Sequence, residues 1–158
     1  MIRAGGLFIL LMGCGVALGS IVPGRRRILL AAGAVVASVA LVVFAPRLSA
    51  PLGRPTQLQV EALIGAIVFE VIAIRIAVAR YRSAGERSLL LAILFAVGLH
   101  FLPMSLAFGP ICAGLAVTST ASAAIGLWVA GSVPLNVFWA ADGIIKLAFG
   151  AAMLGIGW

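Results

Sequence analysis

Asp142 and Lys146 place an acid and a base four residues apart within the apolar stretch FWAADGIIKLAFG, residues 138–150. In a helix this spacing puts both side chains on one face, and the order of acid before base favours an ion pair. Charges set this deep in apolar sequence can carry a proton or an ion, or they can lock one helix against its neighbours. A buried ion pair adds little net stability compared with an apolar replacement, so both interpretations stay open.

Glu70 and His100 are two further ionisable groups inside apolar segments. A carboxyl group buried in such a segment is either protonated or paired, and the candidate partners of Glu70 are Lys146, Arg75 and His100. His100 precedes Pro103 by three residues, and a proline removes one backbone hydrogen bond and usually kinks the helix. A freed carbonyl beside an imidazole predicts a polar notch for water or an ion. The alternative is a core histidine that bonds to a neighbouring helix.

Four more polar residues are candidates for lining such a site: Arg75, Thr118, Ser119 and Thr120. Alternatively, the arginine extends towards the lipid headgroups, and the hydroxyls bond back to their own helix. The sequence contains no recognisable carboxylate pair, Ser-His-Asp arrangement or phosphate loop, and Cys14 and Cys112 have no metal-ligand spacing. We therefore expect no catalytic residue, metal site or cofactor.

The composition of the chain indicates that these charges are surrounded by lipid and apolar protein. Of the 158 residues, 64% are hydrophobic and 9% are charged, compared with about 45–50% and about 25% in soluble domains. Lipid must solvate most of such a chain, and every backbone group inside a bilayer must bond within its own segment. The sequence therefore predicts an all-α, polytopic membrane bundle. The net charge of +7 lies in short arginine-rich connections, which favours contact with lipid headgroups over nucleic acid.

Six apolar runs approach the roughly 20 residues that cross the hydrocarbon core. They cover about residues 4–22, 28–45, 57–79, 88–108, 110–130 and 133–157. The first run is interpreted as a membrane helix rather than a signal peptide. Because the connections are too short for an aqueous domain, residues 1–158 are predicted to form one transmembrane domain. Glycine and proline in "FGP" and "GSVP" mark tight turns between the last three runs.

Arginine counts predict the orientation. The connections after the first, third and fifth runs contain Arg25, Arg26, Arg27, Arg80, Arg82 and Arg87, whereas the other side has Arg3, Arg47 and Arg54. Because cytoplasmic loops carry the excess of Lys and Arg, both termini are expected outside the cytoplasm.

Small residues predict where helices approach closely. Gly15 and Gly19 share one face of the first run, and a ridge of Gly114, Thr118, Ser122 and Gly126 recurs in the fifth. A chain this small seldom encloses a pathway alone, so we expect a homo-oligomer.

The segment DGIIKLAFG resembles the last helix of microbial rhodopsins, in which an acid precedes the Schiff-base lysine by four residues. The resemblance implies retinal on Lys146 with Asp142 as its counter-ion. It covers one helix of a seven-helix family, whereas this chain has room for about six spans.

The spacing of "GLHFLPM", "FGP" and "DGIIKLAFG" also resembles a family of small bacterial integral membrane proteins without an established function. That resemblance covers most of the second half of the chain and implies a multi-pass protein of the bacterial cytoplasmic membrane. The leading hypothesis is a small transporter or an ion- or proton-conducting protein, with Glu70, His100, Asp142 and Lys146 at a midplane site. The alternative is a structural or accessory protein whose charges specify helix pairing, and an enzyme is the weakest of the three.

Overall fold

The computed structural model describes residues 2–49, 56–129 and 131–156, and within these ranges the chain is helical without strands. Seven α-helices and one short 3₁₀ helix follow one another in this described part. They are α1 (Ile2–Ile21), the 3₁₀ helix (Pro23–Arg25), α2 (Arg26–Ser49), α3 (Gln57–Tyr81), α4 (Glu86–Leu99), α5 (Phe101–Phe108), α6 (Pro110–Trp128) and α7 (Leu135–Gly155).

Six helical stretches in the described part of the chain are long and apolar enough to cross a membrane. They are Ile2–Ile21, Pro23–Phe44, Gln57–Tyr81, Glu86–Phe108, Pro110–Trp128 and Leu135–Gly155. The predicted all-α fold with about six spans is confirmed, and the boundaries differ from the sequence estimates by a few residues. Arg54 of the orientation count and the predicted span ends at 130 and 157 lie outside the described residues.

The fourth span is interrupted near Pro103 by a single residue, His100, whose backbone stays in the α-helical region (φ −66°, ψ −18°). Helix α4 ends at Leu99, His100 forms a turn, and α5 begins at Phe101. Since Pro103 has no backbone N–H, it cannot continue the ladder of hydrogen bonds from the preceding turn. The break therefore places the only histidine of the chain at the junction of two helices.

The turn between α5 and α6 uses the glycine and proline of "FGP" as predicted. Gly109 has φ +90° and ψ 177°, a region of backbone conformation that is essentially restricted to glycine. Its N–H donates to the Ser105 carbonyl at 2.8 Å, and Pro110 starts α6 at a position where a helix needs no N–H donor.

Replacing Gly109 with alanine is expected to lower the free energy of unfolding by about 1–3 kcal/mol, because the added Cβ strains this backbone conformation. Equilibrium unfolding in detergent micelles measures the loss. Gly24→Ala is the control, since a Cβ there meets nothing within 4 Å and Gly24 has no positive φ. Equal stability of the two variants would contradict the prediction.

The contacts divide the chain into two compact units, of which the first comprises Met1–Gln57 and Trp139–Trp158. In this unit α1 packs on α2 through glycine. A Cβ on Gly15 would lie 2.7 Å from the Leu29 carbonyl oxygen and 3.0 Å from the Cα of Gly33. The close approach predicted for Gly15 is therefore confirmed, and the backbones themselves make the contact.

Glycines also join α1 to α7 within the first unit. A Cβ on Gly143 would lie 2.7 Å from the Ala17 nitrogen, and one on Gly150 would lie 2.7 Å from the Leu10 nitrogen. Gly6 lies similarly close to Met153 and the Gly150 carbonyl. The contact partners run in opposite directions along the two helices, so α1 and α7 are antiparallel in close backbone contact.

The second unit comprises Leu58–Phe138. Here α4 packs on α6, and a Cβ on Gly98 would lie 2.8 Å from the Thr120 hydroxyl oxygen. Gly126 is buried against Leu91 and Phe138. The ridge predicted on this helix is wrong in part, because Thr118 is exposed, whereas Ser119 and Ala123 are buried. The spacing of small residues was recognised, but packing uses a neighbouring face of the helix.

Candidate functional site

Asp142 and Lys146 form an ion pair on α7, through Asp142 Oδ2 and the Lys146 ammonium. They are the eighth and twelfth of the 21 residues of the helix, which places both in its middle turns. Asp142 is 1% exposed and Lys146 is 0% exposed. The predicted intrahelical pair is confirmed, and both of its charges are removed from the helix ends where they could reach headgroups.

The second carboxylate oxygen of Asp142, Oδ1, is buried and has no partner in residues 2–49, 56–129 and 131–156. Among the described residues nothing hydrogen-bonds to its Oδ1, and the same is true of Trp139 Nε1. A buried polar group without a partner costs about 1–3 kcal/mol. The ion pair is therefore only half satisfied, and Asp142 retains an acceptor that a proton, a water molecule or a cation can use.

Trp139 belongs to the same helix face as the pair, because residues 139, 142 and 146 follow the i, i+3, i+7 spacing of one stripe. Its side chain is fully buried, whereas Trp128 is 85% exposed. Both tryptophans lie within apolar runs of the sequence, so composition does not separate them. The stripe spacing from Trp139 to Lys146 was the available signal that separates them.

Arg26 is a further buried charge in the first unit. Its guanidinium carbon lies 5.9 Å from the centroid of the Trp139 ring, and its Nε donates to the Gly19 carbonyl at 3.3 Å. The sequence placed this residue in the headgroup-anchoring segment Arg25–Arg27. Its flanking residues, Arg25 and Arg27, are exposed. Nothing in the run of three arginines distinguishes the middle one, so packing alone selects it.

Helix α1 provides the wall that Lys146 packs against. A Cβ on Gly13 would lie 3.0 Å from the Lys146 Cβ and 2.9 Å from the Leu147 nitrogen. Gly19 likewise packs against Trp139, since a Cβ added at Gly19 would lie 2.5 Å from Trp139 Nε1. The glycines therefore leave the space that the buried stripe of α7 occupies.

Glu70 and His100 form the second pair, in the second unit. Glu70 Oε1 lies 3.9 Å from His100 Nδ1, beyond a hydrogen bond but within the range of an ion pair with a protonated imidazole. His100 is buried and Glu70 is partly exposed. Of the three partners that the sequence proposed for Glu70, the structure brings His100 near it.

The junction between α4 and α5 fixes the orientation of the His100 ring. Nδ1 lies 2.5 Å from the Val97 carbonyl oxygen. A carbonyl only accepts, so we assign the proton to Nδ1, which leaves Nε2 as the basic nitrogen of the neutral ring. The predicted notch beside the helix break thus contains an imidazole tied to its own helix and a carboxyl group nearby.

The predicted lining residues differ in their surroundings. Thr118 is exposed. Its hydroxyl donates to the Gly114 carbonyl of the same helix at 2.9 Å, as expected if the hydroxyls bond back to their own helix. Ser119 and Thr120 have hydroxyl oxygens that are buried and without a partner among the described residues. Arg75 is exposed on α3. Among the residues described, no group of three or more His, Cys, Asp or Glu side chains could hold a metal ion.

Six candidate membrane helices and two pairs of ionisable side chains within them define a multi-pass α-helical membrane protein. The chain belongs to the family described as "Family of unknown function (DUF6609)", whose model matches residues 1–157. An uncharacterised family is thus confirmed, and the match extends over both halves of the chain rather than the second alone. Neither the curated proteins nor the solved structures gave a match.

Proposed function

We propose that this protein is a small transporter or an ion- or proton-conducting protein, in which Asp142 and Lys146 are the central functional pair. The observation that carries the proposal concerns Asp142, which is 1% exposed and whose Oδ1 has no hydrogen-bond partner within the described part of the chain. A pair that serves only as a brace gains nothing from an unsatisfied acceptor, whereas a proton or cation site requires one.

Glu70 and His100 support the same proposal from the second unit. Glu70 Oε1 lies 3.9 Å from Nδ1 of His100, the nitrogen that carries the proton. Glu70 can accept this proton after a small movement or through one water molecule, while the basic Nε2 takes up another. The buried hydroxyls of Ser119 and Thr120, which have no hydrogen-bond partner among the residues that the structure describes, are suited to line a polar path. Thr118 and Arg75 are weaker candidates for this role, because both are exposed.

The proposal includes the membrane, the orientation and the oligomeric state of the protein. We place the protein in the bacterial cytoplasmic membrane, as the resemblance to small bacterial membrane proteins implies. The arginine counts favour both termini outside the cytoplasm. Large apolar side chains are exposed along α2 and α3, which suits contact with lipid and with further copies in a homo-oligomer. The transported species would be a small solute or an ion. Retinal attachment at Lys146 stays a prediction.

A structural or accessory function is the second candidate, and one observation favours it. Lys146 packs against Gly13 of α1 and Gly143 packs against Ala17, so the pair lies on the helix face that joins α1 to α7. On this alternative the charges specify which helices associate, and no species crosses the membrane.

Measuring proton flux into proteoliposomes under a potassium diffusion potential distinguishes the transport function from the structural or accessory function. The variant Asp142→Asn/Lys146→Gln removes both charges together, so neither is left buried alone, and it is expected to fold but to lose flux. Glu70→Gln is expected to reduce flux, while Glu61→Gln, the same change at an exposed acid of α3, should leave it unchanged. Flux that is equal in the wild type and the folded double variant would contradict the proposal.

A further inference from the structure

A cavity of about 400 Å³ lies between α3 and α4 in the second unit, within the size range of ligand-binding pockets. Its walls include Phe69, Ile76 and Tyr81 of α3 and Ala92, Phe95 and Leu99 of α4. Apart from the Tyr81 hydroxyl, these side chains are apolar. A ligand that fills this cavity must therefore be largely hydrocarbon.

The cavity is an elongated groove rather than a round pocket. Its α3 wall extends from Phe69 to Tyr81, twelve residues apart, which corresponds to roughly 18 Å along a helix. One leaflet contributes about half of the ~30 Å hydrocarbon core. The groove therefore matches the length of one leaflet, from the end of α3 to the level of Glu70.

The groove is open along its side. Ile72 and Ile76, which line it, are 53% and 60% exposed, so a chain in the surrounding lipid can enter laterally. Small side chains widen it on both walls, among them Ala73 of α3 and Ala96 of α4. A straight hydrocarbon chain satisfies this shape, and it has no polar group to desolvate.

Two arginines are neighbours in sequence of Tyr81, the residue at the outer end of the groove. Arg80 and Arg82 flank Tyr81 in the sequence and are exposed. Glu86, which is also exposed, is the one acid near them in the chain. Arg87 is already engaged, because its guanidinium donates to the carbonyls of Val133 at 2.6 Å and Gly126 at 3.2 Å. Two arginines at headgroup level therefore favour a negatively charged headgroup.

We propose that this groove is a binding site for an anionic phospholipid, with one acyl chain between α3 and α4 and the phosphate beside Arg80 and Arg82. The predicted orientation would put this end in the cytoplasmic leaflet, which is rich in anionic lipids. The site lies in the second unit and is independent of the Asp142–Lys146 pair.

Native mass spectrometry of the full chain in detergent, titrated with dioleoyl phosphatidylglycerol or dioleoyl phosphatidylcholine, tests the site. The wild type is expected to bind one phosphatidylglycerol at least about fivefold more tightly than phosphatidylcholine, as one or two arginines at the surface provide. In Arg80→Gln/Arg82→Gln, the affinity for phosphatidylglycerol should fall to that for phosphatidylcholine. These exposed substitutions leave the helix packing untouched.

Ala73→Phe fills the groove and is expected to weaken the binding of both lipids by about tenfold. Ala79→Phe is its matched control, because Ala79 lies on the same helix and is exposed outside the groove. Equal affinity of the wild type for the two lipids would overturn the proposal. So would equal effects of the two phenylalanine variants, or a groove that is occupied by a second copy of the chain and retains no lipid.

Discussion

Replacing Lys146 alone with methionine is expected to lower the free energy of unfolding by about 3–5 kcal/mol, because it leaves the carboxylate of Asp142 buried without its cation. The two side chains are 0% and 1% exposed, so bulk solvent does not reach the charge that remains. Asp142→Asn is also expected to destabilise the protein, because it removes the carboxylate that pairs with the buried Lys146 ammonium. Equilibrium unfolding in detergent micelles, followed by circular dichroism, measures both losses.

The double variant Asp142→Asn/Lys146→Met should recover most of this stability, because removing both charges also removes their desolvation cost. A double-mutant cycle then gives the coupling energy of the pair. Single variants that each cost less than 1 kcal/mol would show that water or a further group compensates the isolated charge. Recovered stability without recovered proton flux is the combination that the proposed function requires.

Gly143→Leu is expected to have the second large effect, at or above the upper end of the 1–3 kcal/mol typical of overpacking. Even a Cβ at this position would lie 2.7 Å from the nitrogen and 2.9 Å from the Cα of Ala17. Backbone atoms cannot rotate away as a flexible side chain can, so α1 and α7 must move apart. The same unfolding experiment measures the loss, and Gly143→Ala should have a smaller effect of the same sign.

Gly65→Leu is the matched control for the glycine series. Gly65 lies inside α3, and a Cβ there meets nothing within 4 Å. Leucine also has the better helix propensity, so this variant should be as stable as the wild type or slightly more so. If Gly65→Leu and Gly143→Leu lost equal stability, general effects on helix insertion, rather than contact between α1 and α7, would be responsible.

The sequence alone was sufficient to predict the fold class and the helix pattern. A chain with 64% hydrophobic residues must be solvated by lipid, and lipid leaves the backbone no partner outside its own helix. Local chemistry likewise predicted the break before Pro103, the turn at Gly109 and the pair between Asp142 and Lys146. Each of these depends on residues within about one helical turn of one another.

Tertiary structure decided everything that depends on which helix faces are covered. It distinguished Trp139 from Trp128 and selected Arg26 from three consecutive arginines. It also moved the packed face of α6 away from Thr118 and left Asp142 Oδ1 without a partner among the described residues. In a membrane the apolar moment that marks a buried face is weak, because lipid and protein interior are equally apolar. Close packing of small residues therefore determines these faces, and that is a property of two helices together rather than of either sequence segment.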